Sequence, residues 1–161
     1  MLFSPWIVAT TLVAGGVAIL LIERLTLSFR HHEADRLPLG TSLGVGFCQC
    51  LAMLPGVSPS GATILGAMFL GVDRRAAAEF SFFLAIPTML AATVLDVYKG
   101  RASLTGHDYE IIAVGFAAAF VSAIVVVRVF LAFLQNHSFR VFGWYRIVIG
   151  LAMMLVLWHA A

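Results

Sequence analysis

The chain alternates long apolar runs with short polar clusters, and the first long run extends from Pro5 to Glu23 with no charge before Glu23 itself. It is too long for a signal-peptide core and has no basic stretch ahead of it, so it predicts a transmembrane helix. Gly15 and Gly16 within it offer a surface for close helix packing. A polar linker follows, holding Glu23, Arg24, Arg30, His31, His32, Glu33, Asp35 and Arg36 and closing at Pro38 and Gly40. Three further spans are predicted at 76–98, 108–135 and 139–159. Trp6, Tyr98, Tyr109, Trp144 and Trp158 fall near predicted ends, as an interfacial aromatic belt would place them.

Segment 41–71 breaks this pattern. Thr41 to Leu54 is apolar, then Pro55, Gly56, Ser58, Pro59, Ser60 and Gly61 interrupt, and Ala62 to Gly71 is apolar again. A spanning helix needs about 20 residues, which neither piece reaches. Together they can enter the membrane and return, so 41–71 reads as a re-entrant helical hairpin. A non-helical turn at membrane depth is tolerated only where protein or a water-filled cavity surrounds it, and such turns are where transport and catalytic sites tend to lie.

Composition narrows the class. The 161 residues are 61% hydrophobic and only 11% charged, with a mean hydropathy of +1.01, whereas a soluble domain is nearer a quarter charged. That excludes a cytosolic enzyme, a disordered chain and a nucleic-acid binder with a basic face. The formal charge of +2 is too small to imply a polyanionic partner. The fold class is therefore all-α: a polytopic integral membrane protein in which residues 1–161 form a single membrane domain of four transmembrane helices plus the hairpin. With the hairpin re-entrant, Arg24, Arg30, Arg36, Arg74, Arg75 and Arg140 share one side and only Lys99 and Arg101 lie on the other. The positive-inside rule makes the first side cytoplasmic. Were 41–71 to cross instead, Arg74, Arg75 and Arg140 would oppose the rest, a weaker split. Cys48 and Cys50 point to different faces of a helix and read as unbonded packing residues. Arg75 and Glu79 are spaced as a helical ion pair, Asp96 and Lys99 as a surface pair, and His31 and His32 as solvated linker residues.

The candidate chemistry lies in the interruption, L-P-G-V-S-P-S-G-A-T-I-L from Leu54 to Leu65. Ser60 is read as the N-cap of a helix beginning near Gly61. The amides from Gly61 to Thr63 then lack helical acceptors, the helix dipole adds partial positive charge, and the hydroxyls of Ser58, Ser60 and Thr63 surround the same point. Such a place suits an anion, phosphate being the common case. The competing reading is a capped helix break packed against a neighbour. Arg128 and Arg146 both sit within predicted spans. Arg146 begins about 10 Å deep at 1.5 Å per residue. Arg128 is read as snorkelling and Arg146 as a phosphate contact.

The run A-M-L-P-G-V-S-P-S-G-A-T-I, followed by G-A-M-F-L-G-V-D-R-R-A-A-A-E-F-S-F-F-L-A-I-P, closely resembles the bacterial undecaprenyl-diphosphatase family, also called the bacitracin-resistance phosphatases. Tyr145-Arg146 and Gln49-Cys50-Leu51 look like family features as well. The resemblance implies a multi-pass protein of the bacterial plasma (inner) membrane. Its activity would be hydrolysis of undecaprenyl diphosphate to the monophosphate that carries cell-wall precursors. It implies Ser58 as nucleophile and Ser58, Ser60, Gly61, Thr63 and Arg146 as diphosphate ligands. A divalent cation (Mg2+ or Ca2+) is implied too, with no ligands for it identified in this chain.

Two departures stand out. The chain matches the C-terminal part of the family pattern, and the family's glutamate-rich E-x-x-x-E and P-V-S-S-T-G-H signature has no counterpart in it. Pro59 also stands where the family carries arginine, offering neither charge nor backbone donor. The expected partners are a polyprenyl diphosphate lipid and membrane lipids, no nucleic acid, and a missing N-terminal half or a second protomer, although a second copy of this chain would still lack the acids. The other classes left open are a polyprenyl-phosphate binding or carrier protein without hydrolysis, and a truncated inactive homologue.

Overall fold

The computed structural model of the chain describes residues 4–25, 27–101 and 105–160. It is all-helical there, in the order α1 (Pro5–Arg24), α2 (Leu39–Gln49), α3 (Pro59–Phe69), α4 (Arg74–Gly100), α5 (Gly106–Asn136) and α6 (Arg140–Ala160). Short 3-10 turns at Ala34–Arg36 and Cys50–Met53 join them. Four helical stretches are long and apolar enough to cross a membrane: Pro5–Arg24, Arg74–Gly100, Gly106–Leu134 and Arg140–His159. Most large apolar side chains on α4 beyond Phe83 and on α5 up to Val129 point outward. That is stable when the surrounding solvent is hydrocarbon. The chain is a multi-pass membrane protein.

The most extensive packing joins α1 and α6, which run antiparallel. Glycine makes it close. A Cβ on Gly16 would stand 2.6 Å from the Gly143 carbonyl oxygen, and one on Gly150 would stand 3.0 Å from that of Ala9. Between apolar helices in lipid, such backbone approach supplies the attraction that the hydrophobic effect cannot. The expected role of Gly15 and Gly16 is met: Gly16 lies on the seam and Gly15 lies under the Arg146 guanidinium.

Helices α2 and α3 fold back on each other as a hairpin, with Gly66 beside Cys48 and Gly44 beside Leu70. Both cysteines are free. The hairpin's open end, the end of α1 and the starts of α4 and α6 are drawn together by one buried carboxylate. The Glu23 side chain is only 1% exposed. It accepts two bonds from Arg74, Nε at 2.9 Å and Nη2 at 2.8 Å, and a third from the Phe139 amide at 3.1 Å. This bidentate, backbone-supported geometry lets a buried ion pair offset its desolvation. Around it lies the apolar core of Ile19, Val45, Ile64, Ala67, Met68, Val72, Ala76–Ala78, Leu134 and Phe139. Arg24, Arg30, Arg36, Arg74, Arg75 and Arg140 thus gather at one end of the bundle.

Several local expectations need amendment. The linker histidine His32 reaches the Asp73 carboxylate at 2.8 Å, while the other oxygen of Asp73 caps α4 through the Ala76 amide. The backbone of His31 bonds along Gly71–Asp73. The linker therefore docks onto the α3–α4 junction, because that junction's extended backbone needs partners. Asp96 and Lys99 form no ion pair among the described residues, whereas Arg75 and Glu79 do, at 2.8 Å.

Replacing Glu23 with Leu should cost about 3 kcal/mol, since it strands Arg74 and the Phe139 amide, and the E23L/R74L pair should recover part of the loss. Thermal unfolding in detergent measures both, and an unchanged midpoint for E23L would remove Glu23 from this role. Gly16→Val should separate α1 from α6 and lower the midpoint by several degrees, while Gly46→Val, a position with open space around it, should not.

Candidate functional site: the hairpin tip

The turn between α2 and α3 is built by residues that refuse to continue a helix. Pro55 lacks an amide hydrogen, and Gly56 adopts φ +84°, where a side chain is strained. A Cβ at Gly56 would also strike the Thr11 hydroxyl and stand 2.9 Å from the Val8 carbonyl oxygen. The tip therefore rests against the interior of α1. Its exposed carbonyls are taken over by two side chains from outside the hairpin. Thr11 Oγ1 donates to the Pro55 carbonyl at 2.8 Å, and Arg146 Nη2 donates to the Gly56 carbonyl at 3.0 Å.

Helix α3 starts two residues earlier than expected, and its N-cap is Ser58, not Ser60. Pro59 occupies the first helical position, where its missing amide hydrogen costs nothing and its fixed φ suits the helix. That placement moves the cap. Ser58 Oγ accepts from the Gly61 amide at 3.1 Å, and the Ser58 carbonyl accepts from the Ala62 amide at 2.9 Å. The expected open amides from Gly61 to Thr63 are thus occupied, and those of Ser58 and Ser60 are left without acceptors among the described residues. The two serine hydroxyls lie 3.1 Å apart. The tip presents two hydroxyls and two amides from Ser58 and Ser60, with Ser60 exposed.

Thr63 is placed differently. It is 2% exposed and its hydroxyl lies 2.7 Å from that of Ser81 on α4, within reach of the Pro59 and Ser60 carbonyls at 3.0 Å. It fastens α3 to α4 beneath the tip. Gly61 faces the cap, where a Cβ would come 3.2 Å from that of Ser58.

Arg146 is half-buried. Its Nε has no partner, and it forms no ion pair among the described residues. A guanidinium held among helices without a counter-ion, one of its donors idle, is energetically incomplete and draws an anion. Arg128, by contrast, is exposed on α5 and touches none of the tip. The structure therefore brings Ser58, Ser60, Gly61 and Arg146 to one turn, keeps Thr63 below it, packs Gly15 under the Arg146 guanidinium, and adds Thr11, which sequence reasoning missed. The signal for Thr11 was available: adjacent threonines at 10 and 11 are the only hydroxyl residues inside the apolar stretch that became α1.

The donor set suits an oxyanion and not a metal. No carboxylate or histidine bonds to Ser58 or Ser60, and among the described residues no group of three or more His, Cys, Asp or Glu could hold an ion. A divalent cation prefers carboxylate and carbonyl oxygens, so the residues present at the tip do not fit one by themselves.

Known proteins are similar to this chain along most of its length. An undecaprenyl-diphosphatase of Rhodopseudomonas palustris (strain BisA53) is 56% identical over 149 residues, 92% of this chain and 56% of that protein. Undecaprenyl-diphosphatase 2 of Paramagnetospirillum magneticum is 55% identical over 157 residues, 98% of this chain and 60% of its own length. An undecaprenyl-diphosphatase of Bradyrhizobium diazoefficiens is 50% identical over 149 residues. The chain spans a little over half the length of these relatives. The family model described as bacitracin resistance protein BacA matches residues 1–152. With nearly its whole length matched, the chain belongs to the BacA family.

Proposed function

We propose that this chain provides the diphosphate-gripping part of an undecaprenyl-diphosphate phosphatase of the bacterial inner membrane. The observation that carries the reading is the uncompensated Arg146 guanidinium bonded to a turn that also offers the hydroxyls and open amides of Ser58 and Ser60. A diphosphate headgroup supplies the missing negative charge, and the outward apolar faces of the helices suit a polyprenyl tail lying in the bilayer. The hairpin 41–71 is read as re-entrant. Its tip rests on Thr11 in the interior of α1, while its base shares an end with Arg24 and Arg74.

The geometry supports the following roles. Ser58 and Ser60 donate through hydroxyls and amides to phosphate oxygens. Arg146 supplies the neutralising charge while its Nη2 keeps the turn in shape. Gly61 lets the headgroup approach the backbone, and Thr63 braces the helix that presents it. Hydrolysis adds water, or first the Ser58 hydroxyl, to the terminal phosphorus and breaks the anhydride P–O bond, releasing inorganic phosphate and the lipid monophosphate. Phosphoryl transfer draws mainly on positioning and charge neutralisation, which these residues offer. It also needs a base to take the nucleophile's proton, and nothing bonded to Ser58 is one. The base and any metal-binding carboxylates come from outside this chain's tip, from a complementary segment bearing the acidic signature. The absence of a basic partner at Ser58 is also what favours the second reading, binding of the lipid without turnover.

Two measurements test this. Purified chain in nanodiscs should bind undecaprenyl diphosphate, with Arg146→Ala weakening it by about 10-fold or more, the worth of a charged hydrogen bond, and Arg128→Ala leaving it within about 2-fold. Equal losses in the two variants would contradict the assignment. Phosphate release by the chain alone should stay at background and rise on co-expression with a segment bearing the acidic signature. Release at full rate from the lone chain would overturn the divided-site reading, and binding without release in both preparations would select the carrier.

A further inference from the structure

We propose that the arginine-bearing end of the molecule docks anionic phospholipid headgroups through Arg24, Arg30, Arg128 and Arg140. The inference concerns bulk bilayer lipids and does not rest on the diphosphate site. It comes from an inventory of cations. Arg36 pairs with Glu33, Arg74 with Glu23 and Arg75 with Glu79. Arg146 is bonded to Gly56, and Arg101 to the carbonyl and ring of Tyr98. The side chains of Arg24, Arg30, Arg128, Arg140 and Lys99 have no partner among the described residues.

Their placement is one-sided. Arg24 ends α1, and Arg140 opens α6 directly after Phe139, whose amide is bonded to Glu23. The Arg30 amide is bonded to the Gly71 carbonyl just past α3, at 2.7 Å. Arg128 lies eight residues before the end of α5 at Asn136, about 12 Å at 1.5 Å per residue, and its stem can carry the guanidinium toward that end. Against these four arginines the same end leaves one carboxylate, Asp35, without a partner among the described residues, because Glu23, Glu33 and Glu79 are paired and Asp73 serves His32 and the α4 cap. At the opposite end Lys99 is offset by Asp96, three positions away in sequence and also without a partner among the described residues. The uncompensated positive charge therefore belongs to one face only.

The surroundings identify the occupant as lipid. Leu21, Leu25, Val141 and Trp144, beside Arg24 and Arg140, are outward-facing apolar groups at 57%, 53%, 63% and 58% exposure. Guanidinium heads above outward apolar side chains and a tryptophan match the headgroup boundary of a bilayer. A recess of about 270 Å³ opens beside Arg30, lined also by Ser28 and Gly71. Arg140 stands at the positive end of the α6 dipole, where a cation is disfavoured unless an anion covers it.

The chain carries its own reporters: Trp144 near this end, and Trp6 and Trp158 near the other. The W6F/W158F chain is placed in phosphatidylcholine vesicles free of polyprenyl lipid. Trp144 quenching is then titrated with brominated phosphatidylglycerol and with brominated phosphatidylcholine. Phosphatidylglycerol should be preferred about 5-fold, the factor expected for one arginine near an anionic headgroup. The preference should vanish in R24Q/R30Q/R128Q/R140Q and shrink in high salt. The W6F/W144F chain, reporting from Trp158, should show none. Equal quenching of Trp144 by the two lipids, an equal preference at Trp158, or a preference that survives the four substitutions would overturn the proposal. If the fourfold variant does not fold, the comparison of the two ends and the salt dependence decide it.

Discussion

A turn inside an apolar helical bundle must find partners for every carbonyl that the helices on either side no longer satisfy. At the tip of this hairpin two consecutive carbonyls, of Pro55 and Gly56, face that problem, and Thr11 and Arg146 answer it from two different helices. The solution has a consequence. Satisfying Gly56 brings an arginine into the bundle with no carboxylate beside it. The same bond that permits the turn therefore leaves the turn positively charged. Fold and candidate chemistry meet in that one contact.

The tip is only as well placed as its base. Glu23 joins the end of α1 to the starts of α4 and α6 by three hydrogen bonds. It thereby fixes the pair that carries Thr11 and Arg146 relative to the helices that carry Ser58, Ser60 and Thr63. The Thr63–Ser81 bond holds α3 to α4 in the same way nearer the tip. Polar contacts set the register here because, between lipid-facing helices, dispersion and hydrogen bonding replace the hydrophobic effect as the source of specificity.

Pro59 stands where the resemblance read from the sequence leads one to expect arginine. Arginine at that position would add a charged fork to the turn. Proline instead pre-sets the first helical turn and shifts the cap to Ser58. The open amides become those of Ser58 and Ser60, flanking the proline, and among the described residues Arg146 is the one guanidinium bonded to the turn.

Membrane character, the four long apolar helices, the broken pair at 41–71 and the Arg75–Glu79 pair were all legible in the sequence, because each depends on local composition or on spacing within one element. The serine-rich turn was legible as a polar interruption, but its cap was not, since two serines flank one proline and only the backbone path chooses between them. Glu23 read as part of a polar linker, and Arg74 as a basic residue at a helix start. Their pairing across 51 positions, like that of Thr11 with Pro55 across 44, exists only once α1 has packed on its neighbours. The sequence by itself determined which segments avoid water and where the chain must bend. The tertiary structure decided which side chains answer that bend, because hydrogen-bond partners in a bundle are set by distance in space and leave no local periodicity to read.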